Sequence, residues 1–227
     1  MQAAGNPAAG AIQQRYHKSD LAFFGLKAAR QRAIVSEVFP SRQPLSRDEH
    51  LPVIRQLWTS SYFDERVAAL LLLGRMVRLL GVDDLGELRS MTGDCNGWAL
   101  LDGLACTVLG PLALAEGMPA YREIRGWSDD PWMWTRRAAI LVHVIPARRA
   151  LLEEEFAWPT FEERLHEREF FIRKAIGWAL RECSKKYPEE VFAFLERIGG
   201  RASGLTRREG SRRLPEQLQA KLKRSLK

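Results

Sequence analysis

Arg66-Val-Ala-Ala-Leu-Leu, Arg137-Ala-Ala-Ile-Leu-Val and Arg173-Lys-Ala-Ile-Gly-Trp share one pattern, an arginine followed by small and then apolar residues. The first two arginines are 71 residues apart and the last two 36, so a further copy is expected near position 102. Asp102-Gly-Leu-Ala-Cys-Thr-Val-Leu stands there, with an acid in the place of the arginine. A repeat of this length holds two helices that cannot bury their apolar faces alone, so neighbouring units must stack to make a core. The expectation is an all-α chain, a curved solenoid of HEAT-like two-helix repeats that receives a partner on its concave face.

Helical punctuation agrees, and strand signals are nearly absent. Ser128-Asp-Asp130-Pro131 reads as a helix start, with an N-cap before a proline at the first helical position. Lys186-Tyr-Pro188-Glu-Glu190 reads as another, with acids in the first turn and Gly199-Gly200 as its stop. Ser61-Tyr-Phe-Asp64 has the form of a capping box ahead of the helix around Val67, with Asp in place of the preferred Glu. Pro40, Pro44 and Pro52 are expected to break the early chain into short pieces. Typical helix lengths give roughly ten to thirteen helices.

The 227 residues suit a single domain over 1–227, with 1–12 and about 211–227 as candidate flexible ends. The net charge of +7 is unevenly spread: residues 197–227 carry ten Lys or Arg against two acids, which leaves the rest of the chain near −1. Such a block either binds phosphate backbones or is a solvated tail. Cys95, Cys106 and Cys183 lack metal-ligand or disulfide spacing, which points to a reducing compartment. The first ten residues hold no apolar stretch of signal-peptide length, and no apolar run approaches transmembrane length, Val67 to Leu73 being far too short. A soluble, monomeric, cytoplasmic protein is expected, nucleoid-associated if bacterial, with no membrane partner.

Two stretches carry the chemistry. In Trp98-Ala-Leu-Leu-Asp102 a ring and a carboxylate lie four residues apart, on one face of an otherwise apolar helix. A carboxylate beside a ring suits stabilisation of positive charge. In Phe171-Ile-Arg-Lys-Ala-Ile-Gly-Trp178-Ala-Leu-Arg181, continued to Lys185, the residues Lys174, Trp178, Arg181 and Lys185 are spaced for one helical face. Rings flanked by cations suit a polyanion carrying flat bases. Taken singly, each of these residues has an ordinary structural reading: Arg137 and Asp102 as partners in ion pairs between repeats, Trp98 and Trp178 as core. Their recurrence at similar repeat phases favours a shared site. His17, His50, His143 and His166 are isolated, which argues against histidine or metal chemistry, and no Gly-rich phosphate loop is present.

The chain resembles the DNA alkylation repair family, the AlkD-type HEAT-like-repeat DNA glycosylases. The matching residues are Arg15-Tyr16…Phe24-Gly25-Leu26, Trp98…Asp102…Leu109-Gly110, Trp134-Thr-Arg-Arg137-Ala-Ala-Ile-Leu141 and Phe170-Phe-Ile-Arg-Lys-Ala-Ile-Gly-Trp178-Ala-Leu-Arg-Glu182. A last match, Leu205-Thr-Arg207-Arg208-Glu209, falls in the basic C-terminal block. The chain departs from the family at Asn96-Gly97 and in the apolar Ala99-Leu100-Leu101, and its segment before Tyr16 is short.

The resemblance implies hydrolysis of the glycosidic bond of positively charged N3- or N7-alkylated purines in duplex DNA, without a metal or cofactor and without flipping the base. It implies that Asp102, Trp98 and Trp178 meet the damaged nucleotide. Arg137, Arg181, Lys174, Lys185, Arg207 and Arg208 are then candidate DNA contacts, with Tyr16 at the edge of the cleft. Two other readings stay open at this point: a non-catalytic relative that binds unusual DNA structures, and a protein-interaction scaffold.

Overall fold

A computed structural model describes residues 1–40 and 46–225. The chain divides into two compact units, Met1–Val108 and Leu109–Lys227. Among the described residues there are no β-strands; extended pairing is confined to one isolated parallel bridge between Ala22 and Tyr62.

The first unit holds α1 (Pro7–His17), α2 (Ala28–Val38), α3 (Arg47–Trp58), α4 (Phe63–Met76), α5 (Leu85–Gly93) and α6 (Trp98–Leu104). The second holds α7 (Gly110–Glu116), α8 (Met118–Gly126), α9 (Met133–Leu141), α10 (Val144–Arg148), α11 (Glu154–Glu163), α12 (Phe170–Cys183), α13 (Pro188–Ile198), α14 (Gly204–Ser211) and α15 (Glu216–Ser225). A π-helical turn at Ala105–Leu109 follows α6. The last helix lies in a stretch that composition alone made a candidate tail, and its Leu222 is buried.

In the first unit α4 is the central element, packed against α2, α3 and α6. Its run of leucines is dictated by that position, since Leu70, Leu72 and Leu73 are all buried. Asp64 is buried in its first turn, where it accepts hydrogen bonds of 2.8 Å from the Phe24 amide and 2.8 Å from Gln31 Nε2. It therefore joins three segments rather than capping α4, and the expected capping box is absent: Tyr62 is the N-cap and makes no side-chain cap bond. Ser60 does the local work instead, accepting from the Tyr62 amide at 3.0 Å and donating to Glu65.

Further expectations are corrected. Pro52 lies inside α3 and does not end it, because Leu51, Ile54 and Trp58 bury one continuous face that outweighs the lost backbone bond. Pro44 lies outside the described residues. The helix expected to start at Pro131 starts at Met133, and Asp130 accepts from the Trp132 amide at 2.8 Å in the turn before it. The start at Pro188 and the stop at Gly199, whose φ of 49° favours glycine, are as expected. The run Trp98–Glu116 is also long and apolar enough to span a membrane. Its Leu101, Leu104, Val108, Leu109 and Leu112 are fully buried, as in the core of a globular protein.

The repeat has a structural basis one residue away from the register read in the sequence. Arg66 donates to the Ser60 carbonyl at 2.8 Å, Arg136 to the Asp130 carbonyl at 2.9 Å and Arg173 to the Glu167 carbonyl at 3.0 Å. In each case the acceptor lies six residues upstream, in the turn leading into the arginine's own helix. The repeated arginine is therefore Arg136, and Arg137 beside it has a different environment.

Candidate nucleic-acid interface

In the first unit, Gly97 is the extended N-cap of α6, so Trp98 opens the helix and Asp102 follows one turn later on the same face. Both are half-buried. The Trp98 ring meets Tyr16 edge-on, with centroids 5.9 Å apart and planes at 84°, and lies 5.1 Å from the His17 ring. His17 in turn stacks on Phe23 at 5.5 Å and on Phe63 at 5.2 Å. Burial holds the imidazole below its ordinary pKa, so it behaves at neutral pH as a flat uncharged ring. Tyr16 is 70% exposed, and α1 carries it to Trp98 despite the short leading segment.

The family resemblance puts Tyr16 and Trp98 in one site, while the sequence leaves His17 isolated. The only signal it offers is its position between Tyr16 and the Phe23-Phe24 pair, because the contacts that give it meaning are long-range. A small cleft of about 70 Å³ opens beside this cluster, lined in part by His17, Arg66, Asp94, Asn96 and Gly97. Burial pushes the Cys95 thiol up to about 12, so it stays protonated and is no nucleophile.

In the second unit, Lys174, Trp178 and Arg181 share a face of α12, and Trp178 is half-buried. Lys174 Nζ lies 2.8 Å from Glu209 Oε1, and Arg181 Nη1 is paired with Glu209 Oε2. Lys185 lies beyond the end of α12 and so does not continue the face as its spacing suggested. It pairs instead with Glu182 at 2.5 Å, which also receives Arg148 at 2.9 Å. Arg137 is 3% exposed: it donates to the Phe171 carbonyl at 2.5 Å, and its guanidinium lies 5.8 Å from the centre of the Phe171 ring. Arg207 donates to the Gly199 carbonyl at 3.3 Å, and Arg208 is exposed. Among the described residues there is no group of three or more His, Cys, Asp or Glu placed to hold a metal ion.

The first unit thus presents a carboxylate one turn from a ring braced by other rings, and the second, by itself, a ring between two ion-paired cations. Solved structures of the same fold carry this comparison further. A protein described as a predicted DNA alkylation repair enzyme, from Enterococcus faecalis, superposes with a TM-score of 0.80 at 21% identity, over 93% of this chain and 97% of its own. AlkD2 from Streptococcus mutans gives 0.64 at 18% identity, over 83% and 91%. The smu.31 protein of Streptococcus mutans UA159 gives 0.63 at 16%, over 92% and 98%. The fold is thus the all-α helical-repeat solenoid expected from the sequence. No curated protein sequence is a match. The family model described as DNA alkylation repair enzyme matches residues 1–214, and the chain belongs to that family.

Proposed function

We propose that this protein is a monofunctional DNA glycosylase that hydrolyses the N-glycosidic bond of N3- or N7-alkylated purines in duplex DNA. The observation that carries the reading is the pairing of Trp98 and Asp102, one turn apart on α6, with Tyr16 set against the ring. Family membership supplies the substrate class, DNA damaged by alkylation.

The alkylated purine is already cationic, so it leaves as a neutral base when the C1′–N bond breaks and takes the electron pair. The barrier lies in the positive charge that develops on the sugar. A fixed carboxylate stabilises an oxocarbenium-like sugar more than it stabilises the ground state, and that difference is catalysis. Asp102 takes this role and orients the water that adds to C1′ and loses a proton. Trp98 and Trp178 contact the cationic nucleotide through their faces, worth on the order of 1 kcal/mol each. With carboxylate and rings engaging the sugar and backbone, the base stays stacked, in contrast to enzymes that extrude it. Lys174, Arg181 and Arg208 supply phosphate contacts.

The test is release of N7-methylguanine and N3-methyladenine from alkylated duplex DNA, with borohydride added in parallel. The reading expects free base, an intact abasic site and no trapped protein–DNA adduct, since no lysine lies between Trp98 and Asp102. An adduct would mean an amine nucleophile, and absence of release with DNA binding retained would leave a binding-only relative.

A further inference from the structure

Lys174 and Arg181 are seven residues apart on α12, about 10 Å along the helix axis, yet both side chains converge on the carboxylate of Glu209. Left to themselves, two like charges brought to one spot repel, and long side chains disperse into solvent. The backbone is shaped to prevent this. Gly177 lies between the two cations in sequence, and a Cβ there would stand 2.6 Å from Glu209 Cβ and 3.3 Å from the Thr206 carbonyl oxygen. On the facing helix, a Cβ on Gly210 would stand 3.0 Å from Leu180 Cβ. Glycine at both positions lets α12 and α14 approach closely, and Thr206 Oγ1 bonds the Arg173 carbonyl at 3.2 Å in the same contact.

Burial grades across the cluster. The Glu209 side chain is 15% exposed, Arg181 22% and Lys174 37%. An anion arriving from solvent meets the cations first, with the carboxylate beneath them. The Lys174 ammonium, hydrogen-bonded to Glu209, holds its pKa below the usual carboxylate range against the opposing effect of burial, so the anchor stays charged at physiological pH.

We infer that Glu209 is a positioning residue for DNA binding: it fixes Lys174 and Arg181 as a preformed cationic pair that takes a backbone phosphate alongside Trp178. The inference rests on the duplex-DNA reading above and adds to it a residue that would not itself touch DNA. An acid within a phosphate-binding surface is otherwise a liability, because its charge repels the ligand. Here it stops two flexible cations from having to be ordered at the moment of binding, which is where preorganisation raises affinity.

The sign of one measurement separates the two roles. Affinity for unmodified duplex DNA is measured across a salt series for the full chain and for Glu209→Gln, with thermal unfolding confirming that both are folded at the assay temperature. Charge alone expects the variant to bind more tightly. Positioning expects it to bind about tenfold more weakly, with the slope of log affinity against log salt reduced by about one. The same substitution placed in a Lys174→Ala/Arg181→Ala background should then have no further effect, whereas a general structural defect would persist there. Unchanged or tighter binding, or an undiminished loss in that background, overturns the inference.

Should Glu209→Gln not fold, Lys174→Gln and Arg181→Gln carry the test. Positioning predicts that their losses in binding are less than additive, and strict additivity overturns it. Base release is scored separately. Wild-type release with an inert Glu209→Gln substitution removes the inference alone. A Glu209 effect on binding without any release removes the glycosylase reading alone, and absence of duplex binding removes both.

Discussion

The His17 imidazole lies 5.1 Å from the Trp98 indole and nearly parallel to Phe23, joining the first residue of α6 to an aromatic stack that reaches α4 through Phe63. A tryptophan at the first position of a helix has little regular structure to hold it, so this stack determines where its ring stands. Replacing His17 by Ala removes the ring from the centre of the cluster. The expected result is a loss of about 1–2 kcal/mol in stability, read by chemical denaturation, with Trp98 shifted in the fluorescence of the folded state. An unshifted spectrum would mean that Trp98 is held by α6 alone.

Gly177 and Gly86 give opposite expectations for the same substitution. A methyl group on Gly177 meets Glu209 and the backbone of Thr206, and Gly177→Ala should cost about 1–3 kcal/mol. Gly86 is exposed in the first turn of α5 with nothing within 4 Å of its added Cβ, and Gly86→Ala should be neutral or stabilise by about 0.5 kcal/mol. Urea midpoints for the two variants check both.

His143 is fully buried, stacked on Tyr121 at 5.7 Å, and burial pushes its pKa down to about 3. The unfolded chain, with an ordinary imidazole near 6.5, takes up a proton that the folded chain refuses. The contribution of this group is therefore complete above about pH 6.5 and is lost as pH falls from there toward 3, at up to about 1.4 kcal/mol per pH unit. A His143→Leu variant should show a flatter stability profile between pH 6.5 and 4. A profile parallel to wild type would contradict the assignment.

Arg137 was expected to contact the DNA backbone, and in the structure its guanidinium is buried against Phe171. Arg137→Gln should therefore cost stability first, on the order of 2–3 kcal/mol as a buried charged hydrogen-bond donor is removed. The salt slope of DNA binding should be unchanged wherever the variant remains folded. A reduced slope at undiminished stability would return Arg137 to the DNA-facing surface.

Much of the fold was legible in the sequence because a helical repeat writes itself locally. The stop at Gly199 and the start at Pro188 depend on residues within one turn, and both were readable. The register of the repeated arginine was not. Arg136 and Arg137 are adjacent and identical, and only the turn geometry shows which of them reaches back six residues to a carbonyl. The Trp98–Asp102 pair was legible because residues four apart share a helical face whatever else packs nearby. Lys174 and Arg181 were legible as neighbours but not as partners of Glu209, an interaction that spans 35 residues in one case and 28 in the other. His17 and Asp64 were missed for the same reason: His17 takes its role from Phe63 in α4 and from Trp98, and Asp64, itself in α4, takes its role from Phe24 and Gln31, 40 and 33 residues upstream. Asp64 even fits a local capping pattern, and the long-range bonds to Phe24 and Gln31 override it.

The central claim is that the charge of Asp102, and not merely its shape, drives base release. Asp102→Asn keeps the volume and removes the charge. Measured under single-turnover conditions on duplex DNA carrying N7-methylguanine, the variant should release base on the order of 100-fold more slowly than wild type, with DNA affinity equal or higher. Release at the wild-type rate by a folded, DNA-binding Asp102→Asn protein would contradict the account.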